Sequence, residues 1–132
     1  MKNLFLITAL VIGLALNAKP LDTNSTWENL TVILKVTEID AFCKLIQQGN
    51  FEAVKGMIEA GTDVNKKSLG MTPLMYAARQ NKVDITKILI ANGANLKAKS
   101  DRGYSAKEYA EMSKAWDTYK VISDELLKTQ GV

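Results

Sequence analysis

Apolar residues in the middle of the chain recur with helical spacing in two short segments. The first segment follows Thr72-Pro73, a pair that starts a helix, because the threonine hydroxyl accepts a hydrogen bond from an orphan amide and proline has no N–H to lose. It ends near Asn81-Lys82 after about two turns, which is too short for a stable isolated helix. We therefore expect it to pack against a neighbour through its small apolar side, formed by Leu74, Ala77 and Ala78.

The second segment predicts another short helix directly behind the first. Its apolar residues are spaced helically from Val83 to Ile90, and it is closed by Asn92-Gly93, where glycine adopts the left-handed conformation without steric cost. Residues 68–100 are thus predicted to form a helix, a tight turn, a second helix and a loop.

Weaker copies of this unit lie on both sides. Ser68 precedes Ser100 by 32 residues, and Gly70 precedes Gly103 by 33. The earlier copy predicts helices at 40–48, with Asp40 as the N-cap, and from Phe51 towards Gly61. The later copy restarts at residues 104–110 and continues in an apolar segment through residue 127.

The central unit resembles an ankyrin repeat. Residues 70–78, with Ile88-Leu89-Ile90 and Gly93-Ala94-Asn95 behind them, follow the family signature Thr-Pro-Leu-His-x-Ala at a period near 33. Met75 stands where the family usually has His, which removes a familiar hydrogen bond between helix and loop. The resemblance covers residues 38–128 and implies an all-α helix-turn-helix solenoid of about three repeats.

The first and last units depart from the pattern as capping repeats do. The first unit has bulkier apolar residues in its first helix, as suits a repeat that covers an exposed end. In the third unit Lys107 replaces a core Leu and Glu111 replaces an Ala, which suits a C-terminal cap whose outer face meets water.

Residues 1–18 have the pattern of a secretory signal peptide. Lys2 precedes an apolar run from Leu4 to Leu16, and Asn17-Ala18 provides a small-residue end, so we expect cleavage after Ala18 and export to the periplasm or the medium. The run is too short to span a bilayer comfortably. The alternatives are an uncleaved anchor, which would make the protein a membrane-tethered spacer, and a buried core helix.

Residues 19–37 are interpreted as a lead-in or arm, and residues 129–132 as a tail. Within the arm, residues 31–36 are compatible with a strand, a short helix or an extended segment. The triplets at Asn24 and Asn29 fit the N-glycosylation pattern, which matters only in a eukaryotic secretory route.

Composition argues against catalysis. The 132 residues are 47% hydrophobic and 23% charged, as in one small globular domain, and they include no histidine. The absence of histidine excludes imidazole bases, Ser-His and Cys-His pairs and the commonest zinc sites. Cys43 is the single cysteine and is predicted to be buried and inert, and acidic pairs such as Glu108 with Glu111 are expected on solvent-facing helices. We expect no enzyme activity and no cofactor or metal, with a histidine-free hydrolase as the less favoured alternative.

The remaining candidate is a binding surface. Residues 66–107 contain nine Lys or Arg and two Asp, so the middle of the chain is basic. The resemblance implies that the loop tips and the exposed side of each first helix form a concave groove, and that its partner-binding residues are Lys66, Lys67, Leu69, Met71, Arg79, Gln80, Lys99, Asp101, Arg102, Tyr104 and Met112, with Gln47 and Gln48 in the first unit.

This surface predicts a protein partner with an acidic patch. We expect the chain to bind it as a monomer. Nucleic-acid binding is not expected, because the basic residues lack interleaved aromatic residues. Stable membrane insertion after cleavage is not expected either. The alternative is that the basic residues at the loop tips serve only to keep a small protein soluble.

Overall fold

The structure is a computed structural model and describes residues 39–131. The expected signal peptide at 1–18 and the arm at 19–37, with its triplets at Asn24 and Asn29, lie outside the described residues. Over the described range the chain forms six α-helices and no β-strand. The helices are α1 Ala41–Gln48, α2 Phe51–Glu59, α3 Pro73–Arg79, α4 Val83–Ala91, α5 Ala106–Met112 and α6 Trp116–Thr129.

The helices form two layers. The inner layer contains α1, α3 and α5, with α3 packed against both of the others, and the outer layer contains α2, α4 and α6, with α4 in the middle. Each inner helix also packs on the outer helix that follows it. The predicted all-α stack of about three helix pairs is confirmed.

Each inner helix begins on a polar N-cap residue. The Asp40 carboxylate accepts the amide of Cys43 at 2.8 Å, and the Thr72 hydroxyl accepts the amide of Met75 at 3.4 Å, with proline in the first turn as predicted. Ser105 caps α5 by accepting the amide of Glu108 at 3.3 Å. These side chains satisfy donors that would otherwise be left unpaired at helix starts.

The expected loss of a hydrogen bond at Met75 is only partly right. The Met75 Sδ accepts the amide of Thr72 at 3.3 Å, so a weak reciprocal bond remains at the start of α3. Helix α3 then ends at Arg79, two residues before the predicted end, because Asn81 adopts the left-handed conformation with φ of 55° and turns the chain towards α4.

The core is built around small residues of α3. Ala77 and Ala78 are fully buried, and their short side chains allow the neighbouring inner helices to approach closely. Leu74, Leu89 and Ile122 fill the space between the layers. Cys43 is also buried, as predicted, and burial raises the pKa of its thiol, which keeps the sulfur protonated and unreactive.

The outer face of the last repeat is less polar than expected. Lys107 is half-buried, and its Nζ lies 5.1 Å from the centroid of the Tyr119 ring, in cation–π geometry. Trp116 packs edge-on against the same ring and is largely exposed, while Glu111 faces solvent as predicted.

Among the helices of residues 39–131, none has both the length and the apolar character needed to cross a bilayer.

The packing predicts a sharp contrast between two leucines of the outer layer. Leu89 is 0% exposed and Leu127 is 54% exposed. Leu89→Ala should lower the free energy of unfolding by about 2–5 kcal/mol, because it leaves a cavity between the layers. The matched change Leu127→Ala should lower it by less than about 1 kcal/mol. Urea denaturation followed by circular dichroism measures both, and equal losses would contradict the stacked arrangement.

Candidate functional site

A groove lies between the loop tips and the inner helices of the second and third repeats. Its volume is about 410 Å³. The residues that line it come from the two loop tips, from the end of α3 and from α5 and its C-cap, and they are Leu69, Gly70, Met71, Arg79, Ser100, Asp101, Arg102, Tyr109, Met112 and Ser113.

The first loop tip is a two-residue hairpin. The amide of Ser68 donates to the carbonyl of Met71 at 2.9 Å, and the amide of Met71 donates back at 3.1 Å. Between them, Leu69 and Gly70 both have positive φ, 49° and 77°, as in a type I′ turn. The tip therefore projects Leu69 from a tightly bonded base.

The second loop tip is one residue longer. The amide of Ser100 donates to the carbonyl of Tyr104 at 2.8 Å, and the amide of Gly103 donates to the carbonyl of Ser100 at 2.8 Å. Three residues stand between Ser100 and Tyr104, where the first tip has two. This extra residue explains why the repeat shift is 32 at Ser68 and 33 at Gly70.

A tyrosine attaches each loop tip to the inner helix that follows it. The Tyr76 hydroxyl donates to the carbonyl of Ser68 at 2.8 Å, and burial raises its pKa. The Tyr109 hydroxyl donates to the Ser100 hydroxyl at 3.0 Å. Sequence reasoning missed this pair, although the two tyrosines stand 33 residues apart.

Side-chain hydrogen bonds also cross from one repeat to the next. The Asn65 side chain donates to the carbonyl of Gly93 at 3.0 Å and accepts the amide of Asn95 at 2.8 Å. On the opposite side of the stack, the Thr118 hydroxyl donates to the carbonyl of Ala78 at 2.9 Å, and its amide donates to Asn81 Oδ1 at 3.1 Å. Sequence reasoning missed these bonds too. They fix the spacing of the repeats and hence the width of the groove.

The cations near the groove differ in their pairing. Lys67 pairs with Asp101 at 3.2 Å, and Lys99 pairs with Glu108 at 2.8 Å. Arg79 and Arg102 form no ion pair with any of residues 39–131. The groove thus contains two guanidinium groups that form no ion pair with a described residue, and one carboxylate, that of Asp101, which pairs with Lys67.

A family model described as ankyrin repeats, in three copies, matches residues 15–125. The chain belongs to the ankyrin-repeat family. A Rickettsia bellii (strain RML369-C) protein, named as an ankyrin repeat protein, is 34% identical over 87 residues. That alignment covers 61% of this chain and 12% of the relative, so the chain spans a small part of the relative's length. Ankyrin repeats are protein–protein interaction modules, and the family is generally non-catalytic.

The ankyrin stack brings six of the predicted partner-binding residues together in the groove. They are Leu69, Met71, Arg79, Asp101, Arg102 and Met112. Tyr104 is exposed and does not line the groove, and its ring lies 5.8 Å from the ring of Tyr109, which does. Lys67 and Lys99 are exposed and paired with acidic side chains, as described above.

The other predicted residues lie apart from the ankyrin groove. Lys66 lines a separate shallow depression together with Asp40 and Asp63. Gln48 lies near Lys82 in the depression beside the inter-helix turns. Gln80 is the exposed C-cap of α3, and Gln47 is a half-buried residue of α1.

Glu108 was expected on a solvent-facing helix, and its side chain is exposed, but it also makes specific bonds. Its Oε2 accepts the Lys99 ammonium at 2.8 Å and the backbone amide of Ser105 at 2.6 Å, which completes a capping box at the start of α5. The Lys99 hydrogen bond and the Ser105 bonds lower the pKa of Glu108 to about 2.

Among residues 39–131, no group of three or more Cys, Asp or Glu side chains is placed to hold a metal ion.

The lowered pKa of Glu108 predicts a pH-dependent contribution to stability. Because the folded pKa of about 2 lies below 4.5, the ordinary value for a glutamate, this contribution is present above pH 4.5 and is lost as the pH falls towards 2. Glu108→Gln should therefore be less stable than the wild type at neutral pH, and the two should converge near pH 2. Thermal unfolding across this range tests the prediction, with Glu111→Gln as the control at an exposed site. A difference between wild type and Glu108→Gln that persists unchanged at pH 2 would contradict the capping role.

Proposed function

We propose that this chain is exported from the cytoplasm and binds an acidic surface of another protein in the groove, without catalysis of its own. The observation that carries the proposal is the pair of guanidinium groups, Arg79 and Arg102, that line the same groove and form no ion pair with any of the described residues. Arginine is the cation best suited to bidentate contact with carboxylates.

Apolar contact area stands beside these charges. Leu69 is 55% exposed and Met112 is 53% exposed, and both line the groove with Met71. Unpaired charge promotes encounter and sets orientation, while apolar side chains at the centre of an interface contribute most of the affinity. The hydrogen-bonded tips lose little conformational freedom on binding, which reduces the cost of association.

Charge reversal tests the groove. Arg79→Glu/Arg102→Glu should slow association with the partner about tenfold or more at low salt, and added salt should reduce the difference. The measurement is capture of partners from the envelope or medium fraction, quantified by mass spectrometry and followed by binding kinetics with the recovered partner.

The matched control for charge reversal is Lys55→Glu/Lys87→Glu. It makes the same change of charge on exposed positions of α2 and α4, in the outer layer, and should leave recovery unchanged. Circular dichroism verifies that both variants are folded. Equal recovery of the same partners by wild type and by the groove variant would contradict the proposal.

Export is proposed from the pattern of residues 1–18, with cleavage after Ala18. The mature chain would then begin at Lys19, act as a monomer and have no stable insertion in the membrane. Intact mass of the protein recovered from the envelope or medium fraction tests this, and the expected mass is that of residues 19–132. A mass that includes residues 1–18 would instead support a membrane-tethered spacer, and recovery from the cytoplasm alone would contradict export.

A further inference from the structure

Leu69 holds a backbone conformation that is unfavourable for its residue type. Its φ is 49°, and the following Gly70 has a φ of 77°, so both central residues of the tip are left-handed. Such turns favour Asn-Gly, because asparagine tolerates this region and leucine does not. A large apolar side chain therefore stands where a polar residue would give a more stable turn.

Burial does not offset this strain. Leu69 is more than half exposed, so its side chain gains little from the core. The second tip carries no such strain, since there the left-handed position is occupied by Gly103. Strained residues of this kind are concentrated at functional sites, and here the effect of the strain is to present one apolar side chain to the groove.

The surroundings of Leu69 indicate what the side chain contacts in a complex. Met71 and Met112 line the same groove and provide adaptable apolar area. Arg79 and Arg102 line it as well and provide unpaired positive charge, while Asp101 is engaged by Lys67. Apolar and cationic groups therefore stand side by side within one depression.

We propose that the groove binds a short extended peptide segment in which an apolar side chain stands next to a carboxylate. Leu69 is the anchor for the apolar side chain, and Arg79 and Arg102 bind the carboxylate. The groove volume of about 410 Å³ is enough to hold a few side chains of one short segment. This inference rests on the proposed function and adds to it the chemistry of the recognised segment.

The probe is a phage-displayed library of short random peptides, selected on the full chain. The enriched peptides should carry Asp or Glu next to Leu, Ile, Met or Phe. Synthetic versions of them should bind the wild type and lose about tenfold or more in affinity on Arg79→Glu/Arg102→Glu. Lys87→Glu should leave their affinity unchanged.

Leu69 allows a sharper test, because the proposal predicts that replacing it with asparagine raises the stability of the fold and lowers the affinity for peptides. Leu69→Asn should raise the melting temperature by about 4 °C, since it relieves the strained turn. The same change should lower the affinity for the selected peptides about tenfold, since it removes the apolar anchor. Leu69→Ala should lower the peptide affinity by a similar factor but should not raise the melting temperature, because alanine is also disfavoured at positive φ. Leu69→Met should retain most of the affinity.

Three outcomes would overturn the proposal. They are enrichment of peptides without a carboxylate, failure to select any peptide, and unchanged peptide affinity in Leu69→Asn. Each of them leaves the proposed function standing if charge reversal still reduces capture of the partner protein. If charge reversal leaves that capture unchanged, the proposed function fails whatever the peptides do.

Discussion

The close contact of α3 with both neighbouring inner helices is the constraint on which the rest of the structure depends. Each inner helix has only seven or eight residues, so none is stable without its neighbours. Ala77 and Ala78 make the contact possible, because any larger side chain there would separate the helices. The stack is thus stable only as a whole, and the position of each loop tip follows from the spacing of the helices.

That spacing explains how a small chain maintains a defined groove. Tyrosines attach the loop tips to the buried helices, and asparagines connect each repeat to the next. The tips are therefore rigid without being buried, which leaves their side chains available for recognition. Strain at Leu69 is tolerated because the bonded scaffold supports it, whereas the charges of Arg79 and Arg102 are exposed to solvent.

The features that depend on local residue chemistry could be predicted from the sequence. The Thr72-Pro73 start, the Asp40 cap and the burial of Cys43 rest on a few adjacent residues, and the structure confirms them. The overall stack was implied by the ankyrin resemblance, in which neighbouring copies bury each other's apolar sides.

The features that depend on distances between repeats could not be predicted in this way. Lys67 is paired because Asp101 of the next tip faces it. This pairing results from the stacked geometry, whereas the sequence shows only separate charges. The strain at Leu69 likewise arises because the first tip is one residue shorter than the second, so the left-handed turn includes a leucine.

Native-state hydrogen exchange at the amides of Ala77 and Ala78 tests the central role of α3 most directly. If the stack is stable only as a whole, these amides exchange solely through global unfolding, and their opening free energy equals the free energy of unfolding measured with denaturant. Exchange as fast as that of the exposed Arg102 amide would contradict the account, because it would show that α3 opens while the rest of the chain stays folded.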